Sequence, residues 1–303
     1  MYRMQVPLIG RHAGIMSTIV LSGGLLISCQ SQPELSTKRP EILASSFTPQ
    51  VTIQGSTIAT DATFYGNRGV RRLLAQNLGG AIEDFREAIK RDPEEVQYHV
   101  SLGWALVQAK DFRAGLASLD YAVGLKGASH EAFLRRGDAR VLLKDYSGAI
   151  QDYSEALNRF PAFYQAAAQR AYAYAMLGQY TVSLEEYTKL IDIRPTPELY
   201  SARATINVHL KDWLRAADDY THAINLNPTH TPYLLARARV KTHVMDFQGA
   251  LRDLDQAVSI SPKDVNSYLF RSTILRALGK LEEAQKDVDE AVRLDPSLRS
   301  RSM

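Results

Sequence analysis

Small and large apolar residues recur along most of this chain with a period of 33 or 34 residues. If the first period starts at Ala62, positions 8, 20 and 27 hold Gly, Ala or Ser in almost every copy, and position 24 holds a large apolar residue. Positions 20, 24 and 27 are separated by four and three residues, so they lie on one face of a helix. A proline at position 32, replaced once by Gly127, then stops that helix. The pattern therefore predicts two helices in each period.

Seven such repeats fit between residues 62 and 296, and they start at residues 62, 96, 130, 164, 197, 231 and 265. Small residues at positions 8 and 20 let the two helices of a repeat approach closely, and the large residue at position 24 fills the gap beside them. One repeat cannot bury its apolar face alone, whereas stacked repeats bury a continuous core. We therefore expect the helix pairs to stack in chain order.

These positions resemble the motif of the tetratricopeptide repeat (TPR) family, which places small residues at 8, 20 and 27, a large apolar residue at 24 and proline at 32. The resemblance covers residues 62–296. It implies an all-α fold, a right-handed superhelical solenoid of seven helix-turn-helix repeats, and a role in binding other proteins rather than in catalysis. The Trp that the family has at position 4 is not kept here, and Leu190 replaces the small residue expected at position 27.

A basic residue at position 7 and an acidic residue at position 23 also occur together in the same repeats. Six repeats carry both, and the second repeat, which has Leu102 at position 7, also lacks the acid. We expect a partly buried ion pair between the two helices of each of these six repeats; the alternative is a row of arginines that binds an anionic ligand. The predicted pairs are Arg68 with Asp84, Arg136 with Asp152, Arg170 with Glu186, Arg203 with Asp219, Arg237 with Asp253, and Arg271 with Asp287.

In the TPR family, positions 2, 5, 9 and 12 of the first helix line a concave groove. Carried over to this chain, the resemblance implies a groove that is apolar in repeats two to four and polar, mildly basic, in repeats five to seven. The predicted groove residues are Val100, Trp104, Val107, Leu134, Val141, Tyr172, Arg239 and Arg276. Trp, Tyr and Arg dominate interface energies, which favours binding of proteins or extended peptides. The alternative is that Trp104 and Tyr172 pack against the neighbouring repeat.

The first 28 residues have the features of a secretory signal. Arg3 and Arg11 precede an apolar run at residues 14–28, which is shorter than the roughly 20 residues of a membrane-spanning helix. The run ends in Leu-Ile-Ser-Cys, which resembles the lipobox of bacterial lipoproteins. The resemblance implies cleavage before Cys29 and lipid attachment to Cys29, with no other cofactor. The alternatives are an uncleaved amino-terminal anchor or an ordinary signal that is cut elsewhere.

All of these readings place the repeats outside the cytoplasm. Residue 30 is Gln rather than Asp, which resembles outer-membrane sorting, so in a Gram-negative cell we expect the lipoprotein to face the periplasm. Residues 29–61 comprise the acylated cysteine and a linker rich in Ser, Thr, Pro and Gln, which is typical of a flexible tether. The alternative for its β-prone stretch, residues 51–58, is a strand added to a partner. Residues 297–303 form a short tail.

Composition and charge narrow the function further. Of the 303 residues, 45% are hydrophobic and 23% charged, as in ordinary folded proteins. The net charge of +3 falls to +1 when Arg3 and Arg11 leave with the signal, which argues against nucleic-acid binding. The sequence has no His-Glu-x-x-His, glycine-rich phosphate loop or Gly-x-Ser-x-Gly motif, and its histidines are scattered, so neither an enzyme nor a metal site is expected.

The sequence therefore predicts a non-catalytic scaffold in the bacterial cell envelope. It would be held at the membrane by the lipid on Cys29 and would bind partner proteins or peptides in its groove. The alternative is a dedicated assembly factor for a pilus, a secretion system or another membrane complex. The last helix is unusually charged and is expected to cap the array; a homodimer through this C-terminal repeat is the alternative.

Overall fold

The computed structural model describes residues 61–301 of the chain. The predicted signal peptide, the lipid site at Cys29 and all of the linker except its last residue lie outside the described residues. Residues 302 and 303 of the tail also lie outside them.

Within residues 61–301, fourteen α-helices and one short 3-10 helix (Pro296–Arg301) alternate with tight turns, and no strand is present. The odd-numbered helices begin at the residues from which the sequence pattern numbers the repeats. The all-α fold built from helix pairs is thereby confirmed. The helices are α1 (Ala62–Leu74), α2 (Leu78–Arg91), α3 (Val96–Gln108), α4 (Phe112–Gly124), α5 (His130–Leu142), α6 (Tyr146–Arg159), α7 (Tyr164–Met176), α8 (Tyr180–Ile193), α9 (Pro197–His209), α10 (Trp213–Leu226), α11 (Thr231–His243), α12 (Phe247–Ile260), α13 (Val265–Ala277) and α14 (Leu281–Leu294).

The described residues fall into two units, one that ends at Asp253 and one that starts at Leu254. In the first unit, the two helices of each of the first five repeats pack against each other, and the second helix of each of these repeats packs against the first helix of the next. In the second unit, α13 packs against α14, and the 3-10 helix packs on α14. The homodimer through this last repeat stays a prediction.

The small residues of the pattern let paired helices touch at the backbone. A Cβ atom added to Gly103 would lie 2.6 Å from Cγ of Leu119 and 2.9 Å from the carbonyl oxygen of Gly115. The large residue at position 24 fills the space beside this contact, and Phe85, Leu119 and Tyr153 are fully buried there. Burial of one such side chain stabilises the fold by about 1.5–3 kcal/mol. The periodic pattern of small and large residues therefore reflects how the two helices of a repeat pack against each other.

Each turn between paired helices is made by a residue in the left-handed conformation at position 15. Two repeats use glycine there, Gly178 and Gly279, but the other five use residues with a side chain and φ between 60° and 65°: Gln76, Lys110, Lys144, Lys211 and Met245. Backbone hydrogen bonds close the turn, for example from Lys110 N to Val107 O and from Asp111 N to Leu106 O, both 3.0 Å. The next residue is usually Asp or Asn and caps the second helix.

Each of the six position 7–position 23 pairs forms in the structure. The closest nitrogen–oxygen distance is 2.6 or 2.7 Å in every pair. The aspartates are buried, while the arginines are 15–36% exposed. Burial raises the pKa of Asp152, and the hydrogen bonds from Arg136 oppose that rise. In the second repeat, Leu102 is buried at position 7 without a charge, which matches the absence of an acid at position 23.

The same arginines also join neighbouring repeats, which the sequence analysis did not anticipate. In repeats three to seven, the outer guanidinium nitrogen of this arginine donates to a side-chain oxygen at position 25 of the preceding repeat. In the first unit these bonds are Arg136 to Asp120 (3.1 Å), Arg170 to Ser154 (3.1 Å), Arg203 to Thr188 (3.0 Å) and Arg237 to Thr221 (3.0 Å). In the second unit, Arg271 donates to Asp255 in the same way, at 3.0 Å. One side chain therefore ties two helices of its own repeat to the repeat before it.

A second group at position 11 also contacts the buried aspartate in several repeats. Arg72 lies 3.0 Å from Asp84, Arg140 lies 2.9 Å from Asp152 and Lys241 lies 2.9 Å from Asp253. In the fifth repeat, Asn207 donates to Asp219 at 3.1 Å instead. Because buried carboxylates are costly unless fully paired, these groups complete the shell of hydrogen bonds that each aspartate needs.

We expect removal of one arginine to destabilise the array strongly. Arg203→Met leaves the buried carboxylate of Asp219 with Asn207 alone, which should cost about 2–4 kcal/mol of unfolding free energy. The double variant Arg203→Met/Asp219→Leu should recover much of this loss, because no uncompensated charge remains. Urea unfolding followed by circular dichroism measures both.

Arg293→Met is the matched control, since Arg293 pairs with Glu290 on the surface of α14. Exposed pairs contribute roughly 0–1 kcal/mol, so this variant should unfold close to the parent. An Arg203→Met variant that is no less stable than Arg293→Met would contradict the structural role of the buried pair.

Candidate functional site

Four of the groove residues predicted in repeats two and three are buried. Val100, Trp104, Val107 and Leu134 are between 1% and 5% exposed. The first three pack in one cluster with Ala132 and Ala139 of the following repeat, among others. The prediction that these four side chains are open to a partner is therefore wrong for this structure. The alternative stated for Trp104, packing against the neighbouring repeat, describes its position.

A charged cluster that the sequence analysis missed lies beside Trp104. The guanidinium of Arg135 is 4.8 Å from the centre of the Trp104 ring and 3.6 Å from carboxylate oxygens of both Glu131 and Asp138. The hydroxyl of Tyr153 donates to Asp138 at 3.1 Å. Arg135 and Asp138 are both buried. Asp138 at position 9 was the one sequence signal for this cluster, because an acid there breaks the apolar run of the predicted groove.

The remaining groove residues are partly exposed. Val141 packs at the margin of the third-repeat core, and Tyr172, Arg239 and Arg276 are half-buried. Burial raises the pKa of the Tyr172 hydroxyl, so this side chain is a neutral, partly desolvated group at physiological pH. Arg276 belongs to the second unit.

In the first unit, the accessible inner face therefore spans repeats four to six. We call this surface the inner face; it comprises Ala168, Tyr172, Ala175, Ser201, Thr205 and Arg239. The hydroxyl of Thr205 donates to the carbonyl oxygen of Ser201 at 2.9 Å and lies 3.3 Å from the Tyr220 hydroxyl. Small residues at the centre leave room, Tyr172 supplies an aromatic group, and Arg239 supplies a positive charge.

No described residues form a metal site. Among residues 61–301, no group of three His, Cys, Asp or Glu side chains is arranged to hold an ion. Each of the six histidines in that range packs against an aromatic ring, with 4.1–5.5 Å between ring centres. Burial, with a contribution from Arg239, lowers the pKa of His243, which stacks on Trp213. The histidines therefore act as packing groups.

In the part of the chain that the structure describes, no helix combines the length and the apolar character that crossing a membrane requires.

Comparisons with known proteins agree with this architecture. A tetratricopeptide repeat model matches residues 67–130, 102–163 and 134–198, and a second tetratricopeptide repeat model matches residues 265–298. Together they cover more than half of the chain. The comparison with curated proteins gave no match.

Several solved structures are similar in fold. A tetratricopeptide repeat protein from Parabacteroides merdae has a TM-score of 0.60 at 17% identity, over 77% of this chain and 93% of that one. The C-terminal part of a TPR repeat-containing protein from Cytophaga hutchinsonii gives 0.63 at 16%, over 76% and 95%. MamA from Desulfovibrio magneticus gives 0.52 at 21%, over 56% and 96%. At these identities the likeness concerns the fold alone.

The family models and the observed helix pairs identify the same repeating unit. In this unit, small residues lie where the paired helices touch, and a large apolar residue packs beside them. The chain belongs to the tetratricopeptide repeat family.

Proposed function

We propose that this chain is a membrane-tethered scaffold that binds partner proteins or extended peptides on the inner face of repeats four to six. TPR proteins bind protein partners and are generally non-catalytic. The observation that carries the proposal is the partly exposed inner face, in which Tyr172 lies between the small residues Ala168 and Ala175 on one helix. Large aromatic side chains beside small ones are typical of interface anchors and their pockets.

The location is a proposal from the amino-terminal sequence. The lipobox-like Leu-Ile-Ser-Cys ending at Cys29 supports a lipid anchor, and Gln30 supports an outer-membrane position facing the periplasm in a Gram-negative cell. The linker between Cys29 and α1 has a root-mean-square span of roughly 30 Å if it is a flexible chain. The repeats would then remain near the membrane surface and would hold partners there.

A photo-crosslinking amino acid in place of Tyr172 tests the inner face. In cells that carry the tagged protein, we expect covalent adducts with specific partner proteins from position 172. Tyr121 is the matched control, because it is also a tyrosine and is 53% exposed, but lies outside the inner face. Ala175→Arg should abolish the adducts from position 172 while leaving the circular dichroism spectrum unchanged, because it fills the space beside the anchor.

Absence of adducts at position 172, or equal capture of the same proteins from position 121, would refute binding at the inner face. The captured proteins also separate the two functional readings. Subunits of a single pilus, secretion or other membrane complex would favour a dedicated assembly factor, whereas several unrelated partners would favour a general scaffold.

Mass spectrometry of the mature amino terminus tests the tether independently. We expect a chain that starts at Cys29 and carries a thioether-linked diacylglycerol and an amide-linked acyl chain, since two or more chains make stable anchoring. Cys29→Ser should accumulate as an uncleaved precursor. A mature chain that starts elsewhere, or that retains an unmodified Cys29, would rule out the lipoprotein assignment.

A further inference from the structure

Tyrosine occupies position 24 in three consecutive repeats of the first unit, and its hydroxyl reaches position 9 on the first helix. The ring packs against the small residue at position 8, since a Cβ atom added to Gly137 would lie 2.6 Å from Cε1 of Tyr153. Tyr153 donates to Asp138 at 3.1 Å, and the Tyr220 hydroxyl lies 3.3 Å from the hydroxyl of Thr205. In the third and fifth repeats, position 9 therefore supplies the partner that a buried phenol needs.

The fourth repeat lacks this partner. Tyr187 is only 4% exposed, yet its hydroxyl forms no hydrogen bond with any residue in the range 61–301. Position 9 of its repeat is Tyr172, a residue of the inner face whose own hydroxyl also has no hydrogen bond within that range. A buried hydroxyl without a hydrogen bond destabilises the fold and calls for an explanation. The repeats on either side meet this requirement internally, so the fourth repeat is the exception.

A third phenol lies close to these two. Burial raises the pKa of Tyr172, and the nearby phenol of Tyr146 adds to the rise. Burial likewise raises the pKa of Tyr187, and Tyr172 adds to that rise. The hydroxyl of Tyr146 also forms no hydrogen bond with a described residue. Tyr172 and Tyr187 therefore stay protonated at physiological pH, and each can donate one hydrogen bond to a ligand on the inner face.

The surroundings of these two phenols favour a neutral acceptor over an anion. Among the described residues, the one ionic group that acts on either pKa is the carboxylate of Glu186, which raises the pKa of Tyr187. Arg170 of the same repeat is engaged by Glu186 at 2.6 Å and by Ser154 at 3.1 Å. No cation is therefore placed to offset a carboxylate at these hydroxyls. An amide carbonyl oxygen, which carries no net charge, fits them better.

We propose that Tyr187 donates a hydrogen bond to a backbone carbonyl oxygen of an extended segment of a partner protein. The inference rests on the proposed function and names the chemistry that the inner face recognises. An extended segment has unpaired carbonyl groups to offer, whereas a helix or a sheet uses them internally. Ala168 and Ala175 lie beside Tyr172 on one face of α7. These small residues let a backbone approach to the distance of about 2.5–3.0 Å that an O–H···O bond requires.

Removal of a single oxygen atom tests this assignment. Tyr187→Phe deletes only the hydroxyl, and Tyr153→Phe is the matched control, because Asp138 already engages the hydroxyl at the same position of the third repeat. The full chain selects binders from a phage-displayed library of random linear peptides, and peptides whose binding is abolished by Ala175→Arg are kept as binders of the inner face. Fluorescence anisotropy of these peptides, made synthetically, measures their affinity for the parent and both variants.

We expect Tyr187→Phe to weaken peptide binding about 2- to 10-fold, as for the loss of one neutral hydrogen bond, without lowering the urea midpoint, since no bond within the protein is lost. Tyr153→Phe should lower the midpoint and leave the affinity unchanged. Replacement of one peptide amide by an ester, whose carbonyl is a weaker acceptor, should weaken binding to the parent more than to Tyr187→Phe. Equal affinities of the parent and Tyr187→Phe, or a scan in which no ester weakens binding to the parent, would overturn the proposal.

The proposed function and the role of Tyr187 fail separately. Adducts from position 172, combined with peptides that bind the parent and Tyr187→Phe equally, would keep the inner face as a binding surface and remove Tyr187 from it. Selection of no inner-face peptide would also overturn the role of Tyr187, while adducts from position 172 would still support a folded partner there. Peptides that depend on Tyr187, without adducts from position 172 in cells, would keep the recognition chemistry and refute the proposed function.

Discussion

The contacts of the arginine at position 7, which every repeat but the second contains, are the interaction on which the order of repeats three to seven depends. Its guanidinium group is planar and presents donors in fixed directions, so one side chain binds the buried aspartate of its own repeat and the position 25 oxygen of the repeat before it. Arg203 shows both contacts, with Asp219 at 2.7 Å and Thr188 at 3.0 Å. A lysine, with one compact ammonium group, cannot reproduce this two-sided contact. Apolar packing holds all the repeats together, and in repeats three to seven the arginine also fixes the position of each repeat relative to the one before it.

Much of this arrangement could be predicted from the sequence. The same pattern occurs in seven repeats, so a helix boundary that is uncertain in one repeat is fixed by the same position in the others. The spacing of small residues, the proline and the matched charges place each helix and each ion pair. The second partner of each arginine could not be predicted in the same way, because position 25 varies between Asp120, Ser154 and Thr188. A shared oxygen on different side chains leaves no residue-type signal in the sequence.

The candidate groove illustrates a different limit. Helical periodicity shows that Trp104 and Tyr172 occupy the same position in their repeats, but it does not show how deeply each lies. Trp104 is buried with Arg135 over its ring, whereas Tyr172 is only half-buried because the residues around it on α7 are alanines. The left-handed backbone conformation of Lys144 and Met245 could not be predicted from the sequence either. Glycine is the usual signal for a left-handed turn residue, and these repeats have no glycine at that position.

These observations divide the molecule by task. The ion pairs and the interior of repeats two and three serve stability, and the inner face of repeats four to six is the surface proposed for partners.

The coupling between Arg237 and Thr221 tests most directly whether arginine joins adjacent repeats. A double-mutant cycle with Arg237→Met and Thr221→Val cancels the cost of leaving the buried Asp253 without its arginine, so the remaining energy belongs to the contact between repeats. Urea unfolding of the four proteins should give a coupling of about 1.5 kcal/mol, the lower end of the range for a hydrogen bond from a charged donor. Additive effects of the two substitutions, with a coupling near zero, would contradict the account.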